Sequence, residues 1–178
     1  MLILMVGLPG TGKSTLSRGL VERFGGFVID KDIIRPALFG PSQIDYTVEQ
    51  DDFCQYIMLQ TAAYLLKRQP GLRVFLDGRP FSREYQRERV HRAASQIGTK
   101  LAVIECLADE ETALARIRRD LESRSHLAAN RTVDLYYVKR QDFEREPVRG
   151  TRLTLSSDQD LENCIAEAER YLRKVENE

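Results

Sequence analysis

Apolar residues run unbroken from Leu2 to Val6. Shorter runs recur at Phe27 to Ile29, over Arg73 to Leu76 once past the arginine, at Leu101 to Ile104 and, more weakly, over Arg152 to Leu155, where Arg152 and Thr154 are polar. Each is too short for a helix, and a run apolar at every position suits a strand buried on both faces of a parallel sheet. Between these runs the apolar positions take helical spacing, predicting helices over Ser14 to Phe24, Ser82 to Ile97, Asp109 to about Asp120, Val133 to Glu144 and Asp158 to Val175. Thr47 with Gln50 makes a capping box ahead of Phe53, Cys54, Ile57, Met58, Ala62, Leu65 and Leu66, a helix that should end near Pro70-Gly71. Strands alternating with helices predict an α/β sandwich, its parallel sheet covered on both faces and wound right-handed. Arg119 to Thr132 is polar, arginine-rich and unpatterned, and is expected to be a loop.

Composition narrows the picture. At 178 residues and 42% apolar content the chain, 1–178, is expected to form one domain with a sizeable core. Lys plus Arg equals Asp plus Glu at 27 each, so no overall field draws the molecule onto nucleic acid or an anionic membrane. Anion recognition has to be local. Cys54, Cys106 and Cys164 lack metal-ligand spacing and are expected to be reduced core thiols in a cytoplasmic protein. The start of the chain has no basic n-region, and no stretch approaches the ~20 apolar residues a membrane span needs.

Gly7-Leu8-Pro9-Gly10-Thr11-Gly12-Lys13-Ser14 fits G-x-x-x-x-G-K-[ST] at every fixed position, with a predicted strand before it and a helix after it. Glycines let backbone amides crowd around phosphate oxygens, and the positive end of the following helix adds to them. Gly7 to Thr15 is therefore the expected ATP-binding loop, with Lys13 on the β- and γ-phosphates and the Ser14 hydroxyl on Mg²⁺. No guanine-reading Asn-Lys-x-Asp or Thr-Lys-x-Asp tetrapeptide occurs, which disfavours a GTPase.

The second strand ends in Asp30-Lys31-Asp32-Ile33-Ile34-Arg35. Ligands of open α/β sheets lie off the carboxyl ends of the strands, so this hexad should share a crevice with the glycine loop. Asp30 then serves the metal, Asp32 takes the proton of an attacking hydroxyl, and Arg35 grips an anionic group of the acceptor. Asp32 is also a candidate cap for a short helix beginning at Ile33. The third strand ends in Asp77-Gly78-Arg79, where Asp77 either stands near Mg²⁺ or orients the acceptor. Between Arg73 and Arg92 six arginines face three acids; most belong to a solvated helix face, while Arg79 and Arg83, nearest the strand end, are candidate acceptor ligands.

This phosphate loop followed by D-x-D-x-x-R resembles the small P-loop kinases of the nucleoside-monophosphate-kinase type. That group includes shikimate and gluconate kinases, adenylylsulfate kinase, chloramphenicol phosphotransferase and bacteriophage-type polynucleotide 5′-hydroxyl kinase. The resemblance implies a single-domain P-loop NTPase, a five-stranded parallel sheet in the order 2-3-1-4-5, Mg-ATP as donor and a closing arginine-rich lid, here about 119–133. It implies that Asp32 is the general base, that Arg35 binds acceptor phosphate or carboxylate, and that Asp30 reaches the metal through water. Arginines after the fourth strand's helix carry transition-state charge in such kinases: Arg116 is at the matching place, and Arg119 or Arg124 is the second. His126 and His91 are expected to be surface residues. Ser156-Ser157-Asp158 resembles the loop that covers adenine and is also a candidate cap for the last helix.

The expected activity is transfer of the γ-phosphate of Mg-ATP to a hydroxyl of a small acceptor, with an anionic group favoured by the arginines. The alternatives are a polynucleotide 5′-hydroxyl kinase, taking a nucleic-acid 5′ end, and an ATP-binding sensor module with little transfer activity. A net charge of zero and the absence of tryptophan weigh against a long strand-binding groove.

Overall fold

The computed structural model describes residues 1–123, 130 and 132–178. Its strands are β1 (Leu2–Val6), β2 (Phe27–Asp30), β3 (Val74–Asp77), β4 (Leu101–Leu107) and β5 (Leu153–Ser156). They form one five-stranded parallel sheet in the order β2-β3-β1-β4-β5, as the resemblance implies. The helices are α1 (Lys13–Phe24), α2 (Lys31–Leu38), α3 (Val48–Arg68), α4 (Glu84–Ile97), α5 (Glu110–Ser123), α6 (Val133–Arg145) and α7 (Leu161–Asn177), with a 3-10 turn over Pro41–Gln43.

The central strand shows how the sequence pattern makes the layers. Leu2, Leu4 and Val6 pack with Met58, Ala62 and Val90 of α3 and α4, while Ile3 and Met5 pack with Leu16, Leu20, Ile165 and Leu172 of α1 and α7. Successive side chains of a strand point to opposite faces, so an uninterrupted apolar run is what a sheet covered on both sides requires. Burying each of these large side chains contributes roughly 1.5–3 kcal/mol, which fixes β1 at the centre. Cys54, Cys106 and Cys164 are buried free thiols. Among the described residues no helix is long and apolar enough to cross a membrane.

The strands continue past their apolar runs at the carboxyl end. Asp30 pairs with Asp77, and Leu107 with Ser156, because ladder hydrogen bonds come from the main chain and tolerate polar side chains where the sheet meets a cavity. Two helix starts also move. α4 begins at Glu84 rather than Ser82, since Arg83 takes extended backbone, φ −101° and ψ 143°, and serves as its N-cap after the left-handed turn at Phe81. α7 begins after Asp160, so Asp158 is not its cap; Asp158 instead accepts hydrogen bonds from the Asp109 amide and the Ser156 hydroxyl. At α3 half of the expected capping box forms. Thr47 accepts from the Gln50 amide at 3.1 Å, but the Thr47 amide donates to Asp45, and the Gln50 side chain donates to the Gln43 carbonyl.

Candidate functional site

The glycine loop joins β1 to α1 over the sheet's carboxyl edge. Gly10 has φ 83°, and a Cβ there would meet the Ala113 carbonyl oxygen at 2.5 Å, so α5 leaves room only for glycine. The Thr11 hydroxyl and Lys13 Nζ each donate to the Leu8 carbonyl at 2.8 Å, tightening the loop. No side chain caps α1. Pro9, Gly10, Gly12, Lys13, Ser14 and Thr15 line a cavity of about 660 Å³, while Gly7, Leu8 and Thr11 do not line it.

Asp30, Asp32 and Asp77 line the same cavity. Asp77 is fully buried; its Oδ2 accepts from the Ser17 hydroxyl at 3.0 Å and its Oδ1 from the Gly78 amide at 2.7 Å. Burial, and next the neighbouring Asp77 carboxylate, push the Asp30 carboxyl up to about 6. Asp30 is also the cap of α2, accepting from the Asp32 amide at 2.8 Å, so Asp32 is not the cap the sequence allowed. Two buried acids abreast, in the cavity that Ser14 also lines, fit a hard divalent cation. Among the described residues no group of three or more His, Cys, Asp or Glu gathers as a metal centre. Mg²⁺ commonly takes one or two carboxylates and completes its shell with phosphates and water.

Asp32 stands in the first turn of α2. Its Oδ1 is cut off from solvent and accepts no hydrogen bond, with Lys31 Nζ at 3.5 Å. Lys31, to which the sequence reading gave no role, is buried in the cavity wall and donates to Asp51 Oδ1 of α3 at 2.8 Å. Arg35 does not reach the cavity. It is 2% exposed, pairs with the same Asp51 oxygen and lays its guanidinium 4.6 Å from the Tyr46 ring centre.

Arg79 lines the cavity but is committed to α3: it donates to Asp52 Oδ1 at 2.6 Å, Gln55 Oε1 at 2.5 Å and the Asp51 carbonyl at 3.2 Å. Burial alone would raise the Asp52 carboxyl, but hydrogen bonds from Arg79 and Arg89 outweigh it and hold it below the usual carboxylate range. Arg83 lies outside the cavity, half-buried at the start of α4 and 3.6 Å from Asp142. Past the strand end the chain makes the buried turn at Phe81, and Arg83 becomes the N-cap of α4.

On the other side of the loop, Arg116 of α5 donates to the Gly10 carbonyl at 3.1 Å, the Ser157 hydroxyl at 2.7 Å and the Ser157 carbonyl at 2.9 Å. It ties the phosphate loop to the β5–α7 turn, whose Ser157 also lines the cavity. Arg119 lines the cavity from the exposed side of α5. Of the expected lid, Arg124, His126 and Arg131 lie outside the described residues, and residues 119–123 continue helix α5.

The AAA domain family matches residues 2–147. No curated protein matches the chain. Among solved structures, the chain is similar to a kinase candidate of Chloroflexus aurantiacus j-10-fl, at TM-score 0.74 and 21% identity over 96% of this chain and 97% of that one. It is also similar to the APS kinase of Mycobacterium tuberculosis in complex with AMPPNP and APS, at TM-score 0.70 and 15% identity over 97% and 96%. A gluconokinase of Sinorhizobium meliloti 1021 aligns at TM-score 0.69 and 17% identity over 98% and 93%. At these identities the structures speak for the fold alone. The chain belongs to the AAA domain family and carries the fold of the small P-loop kinases.

Proposed function

We propose that the protein is an ATP-dependent phosphotransferase that moves the γ-phosphoryl group of ATP to a hydroxyl of a small molecule. One observation carries the reading: Lys13 and Ser14 of the phosphate loop and Asp30, Asp32 and Asp77 of the neighbouring strand ends line one cavity. A nucleotide-sensing module would need the loop and the metal acids but would have no use for Asp32, a further carboxylate in the same cavity. The APS kinase and gluconokinase on the same fold act on small acceptors, in keeping with this reading.

In this reaction the acceptor oxygen attacks the γ-phosphorus, the bond to the β,γ-bridging oxygen breaks, and ADP leaves with the electron pair. Asp32 takes the hydroxyl proton as the new bond forms. Lys13 and the loop amides hold the β- and γ-oxygens in place. Ser14, Asp77 and Asp30 are the residues that would hold Mg²⁺, which when bound neutralises charge on those oxygens. Arg116 keeps the loop against Ser157, and Arg119 stands where it can meet nucleotide charge.

Incubation with γ-labelled ATP, Mg²⁺ and a panel of hydroxyl compounds tests the assignment. Label should move to an acceptor ester in wild type and not in Lys13→Ala. Tight ATP binding with no acceptor-stimulated ADP release would instead favour the sensor.

A further inference from the structure

Lys139 of α6 lines the same cavity as the phosphate loop, although neither the glycine pattern nor the strand ends point to it. We propose that Lys139 is a further catalytic residue, whose ammonium group joins Lys13 on the γ-phosphoryl oxygens of ATP. This rests on the seat that the phosphotransferase reading gives the triphosphate, and it asks nothing of the acceptor.

Residues three apart on a helix are neighbours, so Tyr136, Lys139 and Asp142 form one stripe of α6. Tyr136, with Val133, shares an apolar cluster with Leu8 of the phosphate loop. At the other end of the stripe, Asp142 Oδ2 accepts from the Ser82 hydroxyl at 3.2 Å. The segments holding Leu8 and Ser82 are themselves joined, the Gly7 amide donating to the Pro80 carbonyl at 3.2 Å. Lys139 is therefore carried past the junction of the loop with the end of β3, where Pro9 and Pro80 also line the cavity. Lys13 marks that junction as the γ end: its Nζ donates to the Leu8 carbonyl at 2.8 Å, and this lysine is the one that serves the β- and γ-phosphates. The loop's other flank, at Gly10 and Gly12, is closed by Arg116 and Ser157.

The ion pair that Lys139 makes leaves it available. Its side chain is 15% exposed and stands 3.3 Å from Asp142 Oδ2, the oxygen that also takes the Ser82 hydroxyl and has Arg83 Nε at 3.6 Å. Asp142 keeps those two partners when the lysine turns to a phosphate, so the exchange strands no buried charge. Three rotatable donors on a flexible stem suit such a move. Negative charge spreads over the γ-oxygens during transfer, and a cation held there is worth most where water is excluded. Arg116, which the sequence offered for that charge, instead directs both terminal nitrogens to Gly10 and Ser157.

Isothermal titration of ATP and of ADP, each with Mg²⁺, tests the placement, because the two nucleotides differ only in the γ-phosphoryl group. Lys139→Met and Lys139→Gln should each weaken ATP at least about tenfold and leave ADP within about twofold, the loss expected for one charged hydrogen bond. Lys139→Arg, which keeps the charge, should recover most of the ATP affinity. Asp142→Asn, which loosens the hold on the lysine, should keep the ATP-to-ADP affinity ratio at the wild-type value or raise it. An unchanged ratio in a folded Lys139→Met or Lys139→Gln variant overturns the proposal, and so does an equal loss for both nucleotides. A ratio that falls in Asp142→Asn as far as in Lys139→Met also overturns it, since the pair would then act only by holding α6. The titrations need no acceptor, so a wild-type protein that transfers phosphate to nothing sinks the phosphotransferase while the ratio still decides the role of Lys139.

Discussion

Asp30 and Asp77 stand at paired positions on β2 and β3, and the residue after Asp77 is what lets them share the sheet edge. Gly78 has φ 79°, and a Cβ there would run into Asp30 Oδ1 and lie 2.6 Å from the Lys31 amide nitrogen. The glycine therefore sets the spacing of both acids and the start of α2.

Gly78→Ala should destabilise the fold by about 2 kcal/mol or more, through the unfavourable φ and the clash with the α2 cap. Urea denaturation followed by circular dichroism checks this, with an unchanged midpoint as the contrary result.

Asp77→Asn removes charge from the expected metal position while keeping the shape. Wild type should bind ATP more tightly in Mg²⁺ than in EDTA, and the variant should lose most of that difference. Isothermal titration measures both affinities without depending on turnover. Retention of the full Mg²⁺ effect would remove Asp77 from the metal set and leave it to orient the acceptor.

Arg79→Met should cost about 3 kcal/mol, because Asp52 and Gln55 lose a buried donor, even though methionine fills much of the space. The measurement is a denaturation midpoint compared with that of the exposed variant Arg92→Met, which should be nearly neutral.

The Asp52 carboxyl is held low by Arg79 and Arg89, so its contribution to stability is present above the unfolded carboxylate pKa and is lost as pH falls through the lower folded value. Wild type should accordingly be more stable than Asp52→Asn at pH 7, with the gap shrinking as pH falls below about 4. A gap that does not depend on pH would mean that packing, and not charge, accounts for it.

The strands, the phosphate loop and the acids at the strand ends were legible because each rests on local spacing: an apolar run, a glycine pattern, a carboxylate just past a strand; the order of the strands followed only from the family resemblance. Arg35 and Arg79 were legible as residues of the right kind in the right region, but not in their roles. Asp51 and Asp52 come from the N-terminal end of α3, where acids look like ordinary partners for a helix N-terminus. Only the packing of α3 against α2 and β3 brings them onto Lys31, Arg35 and Arg79. Lys31 lies between Asp30 and Asp32, and nothing in the sequence distinguishes a buried lysine from a solvated one. A run of cations near a strand end implies an anion only when their counter-charges are known, and those lay in a distant helix.

The most direct test of the central claim, that Asp32 accepts the acceptor's proton beside the triphosphate, is single-turnover transfer of labelled phosphate by Asp32→Asn at saturating ATP. Transfer should fall ~10² to 10⁴-fold with ATP affinity within about twofold of wild type. Transfer at the wild-type rate, or a loss of affinity as large as the loss of rate, would contradict it.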